Sequence, residues 1–345
     1  MFFLTMSHEF YMQRCLDLAY KALGKTNPNP IVGCVIVHQD EIIGEGFHEK
    51  AGENHAEINA IKSVKNPDLL KEATVYVSLE PCSHFGKTPP CANKIVEVGF
   101  KKVVIGCLDS NEAVNGKGKK IIEDAGIEVI TGILEEKCKI ANKRFFTFQE
   151  KKRPFIILKW AQSADECLDR NFQPAQIGNS LTKQFVHQLR SQEEAILVGT
   201  KTALTDNPSL TTREIGGRNP VRILLDFDLK VPENFKIFNE EAETLIFNSK
   251  KNAVEGRNNF NKIIRKNGIA GVLERMYQLQ IQSVLIEGGA FTLQQFINEN
   301  LWDEAIIIKN ENLILGSGTK APALSAKPKK VLEMRDNFVE FYTNF

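Results

Sequence analysis

Three soft-metal donors on separate stretches of chain most restrict how this sequence can fold. They are His55 in His55-Ala56-Glu57, Cys82 after Pro81, and Cys91 after eight intervening residues. An imidazole and two thiols can grip one ion only if all three stretches converge. Structural zinc sites usually fill four positions with Cys and His, whereas catalytic sites keep one for solvent or substrate. This set supplies three ligands, and Glu57 is a carboxylate placed to move protons for water in the fourth position. Bound zinc lowers the pKa of water to about 7. The softness of the donors favours zinc over iron.

The local pattern supports the convergence. His55 and Glu57 stand where a polar stretch, residues 51–54, gives way to the helical spacing Ala56, Ala60, Ile61. Cys91 follows Pro89-Pro90 and opens a helical pattern over 92–97. Both ligand sets therefore fall at helix N-termini, where the positive dipole end and the metal favour a thiolate. If the zinc were purely structural, Glu57 would have no task. Cys15, Cys34, Cys107, Cys138 and Cys167 complete an odd count of seven without disulfide-rich spacing, and read as reduced, mostly buried thiols.

A chain of 345 residues is long enough for about two domains, each with its own core. A formal charge of +1 gives no general reason to expect nucleic acid or membrane as partner. The apolar start, residues 1–6, lacks a basic n-region and a cleavage site, so a cytoplasmic enzyme is expected. Ser7 is placed to cap a first helix. Strands are expected at 31–37, 42–46, 74–77, 103–106 and 128–131, with helices from about 55, at 92–97 and at 118–124. This alternation predicts an α/β fold with a largely parallel sheet. Lys151-Lys152-Arg153-Pro154 interrupts both periodicities and sets the boundary, giving domains 1–150 and 151–345. The second half alternates again: strands at 155–160, 195–198, 221–225, 244–247, 283–286 and 305–308, and helices at 181–191, 269–279 and 291–300. The polar, Asn-rich stretch 249–262 reads as a surface loop. Gly116-Lys117-Gly118 lacks the third glycine of a dinucleotide fingerprint and reads as a loop.

The order H-x-E, P-C, C matches the zinc nucleobase deaminases, with a widened second gap. More specifically, Thr26-Asn27-Pro28-Asn29-Pro30-Ile31-Val32-Gly33, Gly52-Glu53-Asn54-His55-Ala56-Glu57 and the run from Leu79-Glu80-Pro81-Cys82 to Pro89-Pro90-Cys91 resemble the bifunctional deaminase/reductases of riboflavin biosynthesis. So do Lys159-Trp160-Ala161-Gln162-Ser163-Ala164-Asp165, His187-Gln188-Leu189-Arg190, the block Asp206 to Arg213, and Ile286-Glu287-Gly288-Gly289. The resemblance implies a cytidine-deaminase-like N-terminal domain and a dihydrofolate-reductase-like C-terminal domain. It implies hydrolytic loss of a ring amino group from a phosphoribosylaminopyrimidine, followed by NADPH-dependent reduction of the ribosyl side chain.

By the same resemblance Glu57 is catalytic, and Asn29, His48, His84 and Lys87 contact the deaminase substrate. Arg190, Leu210, Arg213 and Glu287 contact the reductase substrate, the two arginines through its phosphate. Ala161, Thr202, Asp206 and Gly289 contact NADPH, with the glycines after the strand allowing close approach of a phosphate to a helix start. Family members commonly self-associate. Glu166, Gln176, Gly178 and Phe227 depart from the residues usual in relatives. They open a second reading, a deaminase with a weakened or decayed reductase.

Overall fold

A computed structural model describes residues 6–83, 89–110 and 115–344. His84 and Lys87 lie outside the described residues. The chain divides into two units, Met1–Lys151 and Lys152–Phe345.

In unit 1 Ser7 caps α1 (His8–Tyr20), its hydroxyl accepting from Phe10 N at 3.4 Å. β1 (Gly33–His38) and β2 (Glu41–Phe47) follow, joined at Gln39 and Asp40, both at positive φ. Such a two-residue connection matches the twist of a hairpin. Then come α2 (Ala56–Ser63), β3 (Thr74–Leu79), α3 (Cys91–Val98), β4 (Lys102–Cys107), α4 (Lys117–Asp124), β5 (Glu128–Thr131), α5 (Glu135–Ala141) and α6 (Lys143–Lys151). Gly99 ends α3 at φ 73°, the left-handed stop that glycine favours.

The sheet order is β2-β1-β3-β4-β5. Only β3, β4 and β5 run parallel, and β1 is antiparallel to both neighbours, which corrects the expected largely parallel sheet. For β1 and β2 the cause is local, because a two-residue turn can only return the chain antiparallel. Strand alternation sorts the core into two layers. Cys34, Ile36, Val75, Val77, Val103 and Ile105 pack with Ala56, Ala60, Ala92 and Ile95 of α2 and α3. Val35, Val37, Tyr76 and Val104 face α1, α5 and α6 through Met12, Leu16, Cys138 and Phe145.

Unit 2 contains β6 (Phe155–Ser163), α7 (Ser180–Gln192), β7 (Ala195–Gly199), α8 (Thr200–Asp206), β8 (Val221–Leu225), β9 (Thr244–Asn248), β10 (Ala253–Glu255) and β11 (Asn258–Lys262). It continues with α9 (Gly268–Gln278), β12 (Ser283–Ile286), α10 (Ala290–Asn298), β13 (Glu304–Asn310), β14 (Lys330–Met334) and β15 (Asn337–Thr343). The sheet order is β10-β11-β9-β8-β7-β12-β6-β13-β15-β14. From β11 to β13 every pairing is parallel. Both faces of this central region are covered, so its strands read as continuous apolar runs such as Ala195–Gly199. One face packs on α9 and α10 through Val272, Met276, Leu293 and Phe296, and the other on Leu189 and Ala203.

Residues 249–262 are not a plain loop, since they hold β10 and β11. Parallel pairing to β9 and burial of Phe260 stabilise β11, and Asn261 is tied down by accepting from Arg275. Polar residues of low strand propensity hid a strand stabilised by its neighbours.

Candidate active sites

In unit 1 the predicted donors converge. His55, Cys82 and Cys91 place one ligand atom each within 4.8 Å of one another. His55 is the N-cap of α2, and Cys91 is the first residue of α3. His55 Nδ1 lies 3.5 Å from Cys82 Sγ and 3.3 Å from Cys91 Sγ, and Cys82 Sγ accepts from Cys91 N at 3.3 Å. The hydrogen bond from Cys91, aided by the imidazole, brings the Cys82 thiol well below its ordinary value despite burial. Cys91 is driven upward by the same shared proton and by burial. Two sulfurs contending for one proton beside an imidazole are a donor set that a sulfur-seeking cation satisfies by displacing that proton. The residues therefore fit zinc. All seven thiols are free, and six of them are buried, Cys82 being half-buried.

Glu57 is 3 % exposed, in the first turn of the same helix. Burial, then the charge of Cys82, raises its carboxyl above the usual carboxylate range. His48 lies beside the cluster, its ring centroid 5.2 Å from that of His55. Asn29 Nδ2 donates to His48 Nε2 at 3.1 Å, while His48 Nδ1 donates to Asn54 O at 3.0 Å, a consistent tautomer. Burial keeps His48 below its ordinary pKa, so the ring stays neutral. Asn29, His48 and Glu57 are thus gathered around the three donors.

In unit 2 the sheet has a switch point between β7 and β12. The chain leaves β7 through α8 toward β8, and leaves β12 through α10 toward β13 on the opposite side. Ligands of open parallel sheets bind in the crevice outside the strand ends at such a point. Gly199 N donates to Gly288 O at 3.2 Å across it. Gly288 has φ 126°, and a Cβ on Gly289 would stand 2.9 Å from Thr202 Oγ1. Glycine is needed at both, for conformation at one and for space at the other. Thr202 and Gly289 are therefore neighbours. Ala161 lies on β6 and Asp206 ends α8.

The structure gives Arg190 another partner than the phosphate expected. Its Nε and Nη2 donate to Glu287 Oε1 and Oε2 at 2.9 and 2.7 Å, and Nη1 donates to Thr211 O at 3.2 Å. Lys159 Nζ joins the pair, 3.4 Å from Glu287 Oε2. Burial alone would raise the Glu287 carboxyl, but Arg190 and Lys159 together bring it down to about 2. Burial lowers Lys159. No role was read for Lys159 in the sequence. Its signal was a lone cation within the apolar run from Phe155 to Ala161. Arg213 is exposed, and it donates from Nη1 to Thr211 Oγ1 at 3.0 Å and from N to His187 Nδ1 at 3.0 Å. Leu210 is buried beside them.

The two units also match known families. Residues 5–107 match the cytidine and deoxycytidylate deaminase zinc-binding region, and residues 154–344 match the RibD C-terminal domain. The riboflavin biosynthesis protein RibD of Aquifex aeolicus is 37% identical over 97% of this chain and 98% of its own length. This chain belongs to the RibD family. The RibD of Escherichia coli is 33% identical over 94% of this chain and 92% of its own length. Among solved structures, the diaminohydroxyphosphoribosylaminopyrimidine deaminase/5-amino-6-(5-phosphoribosylamino)uracil reductase of Thermotoga maritima has a TM-score of 0.87 at 37% identity. It covers 96% of this chain and 97% of its own. A RibD chain is a bifunctional deaminase and reductase of riboflavin biosynthesis, with a zinc-binding first half. A decayed reductase is not favoured, since the RibD C-terminal match runs unbroken through the second half. Glu166 keeps a turn at φ 59°, and Phe227 carries the Arg265 guanidinium 5.3 Å from its ring. Among the described residues no helix is long and apolar enough to cross a membrane.

Proposed function

We propose that this chain hydrolytically deaminates 2,5-diamino-6-(5-phosphoribosylamino)pyrimidin-4(3H)-one within residues 1–150. It then reduces the ribosyl group with NADPH within residues 151–345, giving 5-amino-6-(5-phosphoribitylamino)uracil. The observation that carries the reading is the three-donor His55, Cys82, Cys91 site with buried Glu57 beside it. The reading places the enzyme in the cytoplasm, acting on a small molecule.

Zinc held by His55, Cys82 and Cys91 supplies Lewis acidity and lowers the pKa of water. Glu57 takes a proton from the attacking water on its carboxylate and returns it to the ring nitrogen and the departing ammonia. Its raised affinity for protons suits both halves of that transfer. Asn29 and neutral His48 present polar atoms to the ring edge, with His48 held in orientation by Asn54 O. His84 and Lys87 remain assigned to the substrate and its phosphate, respectively.

NADPH supplies the hydride in the second step. Gly289 at the start of α10, with Thr202 beside it, would hold its phosphate, and Ala161 and Asp206 would be its further contacts. Arg213 meets the substrate phosphate, Leu210 gives an apolar wall, and Glu287 meets the substrate. Arg190 acts by fixing the Glu287 carboxylate. The test is metal analysis and ammonia release on the diaminopyrimidine compound, then NADPH absorbance after adding the nucleotide. Zinc-loaded protein that releases no ammonia overturns the reading.

A further inference from the structure

Glu80 is a carboxylate 4 % exposed, two residues before Cys82. The backbone takes it up: Oε2 accepts from Asp109 N at 3.2 Å and Gly116 N at 2.9 Å, and Oε1 accepts from Lys119 N at 3.0 Å. Gly116 is the N-cap of α4 and Lys119 lies in its first turn, where N–H groups have no partner within the helix. Glu80 N in turn donates to Cys107 O at 3.0 Å. One side chain thus ties the end of β3 to the end of β4 and to the start of α4.

Gly118 completes the arrangement. A Cβ there would lie 2.0 Å from Pro81 O and 3.3 Å from Glu80 Oε1. Only glycine lets the first turn of α4 rest against the carbonyl of the peptide that leads into Cys82. On its other side Cys82 is fixed by α3, with Sγ accepting from Cys91 N and the carbonyl accepting from Ala92 N at 3.2 Å. The ligand is therefore gripped from two helices, and the grip from α4 passes through Glu80 and Gly118.

We infer that Glu80 and Gly118 form a brace that positions Cys82 for the metal, so that Gly116-Lys117-Gly118 serves the zinc site rather than a nucleotide. Neither is a metal ligand, and both act through the backbone of Cys82. The inference rests on the reading of unit 1 as a zinc enzyme.

The test compares full-length zinc-loaded wild type with Gly118→Ala and Glu80→Gln. Alanine at 118 must displace the Pro81 carbonyl. Glutamine at 80 keeps the size but replaces one accepting oxygen with an amide that cannot accept. Zinc transfer to a chromogenic chelator is expected to quicken roughly 10- to 100-fold, the range for residues that orient ligands. In Co(II)-substituted protein, the sulfur-to-cobalt charge-transfer band should weaken and shift, which a loss of general stability would not produce. Turnover of deaminated nucleotide by unit 2 should stay at the wild-type rate. Should Gly118→Ala fail to fold, Glu80→Gln carries the test alone. Variants that release zinc at the wild-type rate with the wild-type cobalt spectrum overturn the brace while leaving the proposed function standing. A wild type that holds no zinc overturns both.

Discussion

Arg190 closes both arms of its fork on Glu287, Nε to Oε1 at 2.9 Å and Nη2 to Oε2 at 2.7 Å, beneath the glycine-lined crevice of unit 2. Lys159 shares the same carboxylate. A carboxylate so held has a folded-state pKa of about 2 against an ordinary 4.5, so its contribution to stability is full above 4.5 and is lost as pH falls toward 2. Glu287→Gln is expected to flatten the stability curve in that window by the equivalent of one proton. It should also cost about 3–5 kcal/mol at neutral pH, because two buried cations lose their partner. Denaturant titrations across pH check both, and NADPH oxidation should fall in parallel.

Glu57→Gln keeps the size of the side chain and removes the proton carrier. Zinc content should match that of wild type while ammonia release falls roughly 10²- to 10⁴-fold. Elemental analysis and an ammonia assay on the same preparation decide it. Near-normal deamination would take Glu57 out of the chemistry.

Stripping the metal with a strong chelator should abolish ammonia release. The reductase step, supplied with deaminated nucleotide, should persist, because unit 2 has its own core and none of the three donors lies in it. Restoring zinc should restore the first step.

Arg222 is fully buried in β8 and holds the loop that follows. Nη1 donates to Asn239 Oδ1 at 2.7 Å and Lys236 O at 3.2 Å, and Nη2 donates to the carbonyls of Asn239 and Ala242. Arg222→Leu takes the guanidinium donor from the carbonyls of Asn239 and Ala242, while Lys236 O and Asn239 Oδ1 keep their backbone donors, Asn239 N and Glu241 N. Since each carbonyl so deprived costs about 1–3 kcal/mol, a loss of several kcal/mol in unfolding free energy is expected. Calorimetry measures it.

Glu166 occupies a turn at φ 59°, where a side chain is disfavoured. The turn is imposed by its neighbours: Asp165 accepts from Ser163 Oγ, Leu315 N and Gly316 N, and Glu166 N donates to Ser163 O. Glu166→Gly should therefore stabilise unit 2 by roughly 0.5–1 kcal/mol, as relief of left-handed strain exceeds the added entropy of glycine. An unchanged or lower melting temperature would contradict this.

Much of this architecture was readable from residue patterns because local chemistry and tertiary demand agreed. Ser7 starts α1, Gly99 stops α3, and the apolar runs of β8 and β12 match their predicted limits. Donors with a preferred geometry marked the metal site. Other features depended on partners distant in sequence. β11 reads as an Asn-rich loop until β9 supplies its ladder, and the antiparallel β14 and β15 pair only where β13 offers an edge. Arg190 looked like an anion grip, because nothing near it in sequence announces Glu287. Glu80 lay inside a quoted motif, yet its three N–H donors come from residues 109–119, brought over by the topology.

The unequal shielding of the seven sulfurs gives a practical handle on the protein. Because Cys82 alone is part-way open to solvent, a small electrophile applied to native material should modify at most one site. That site is blunted whenever its lone pairs are committed to an ion. Stoichiometry of alkylation by intact mass thus becomes a gauge of how many molecules in a preparation carry their metal.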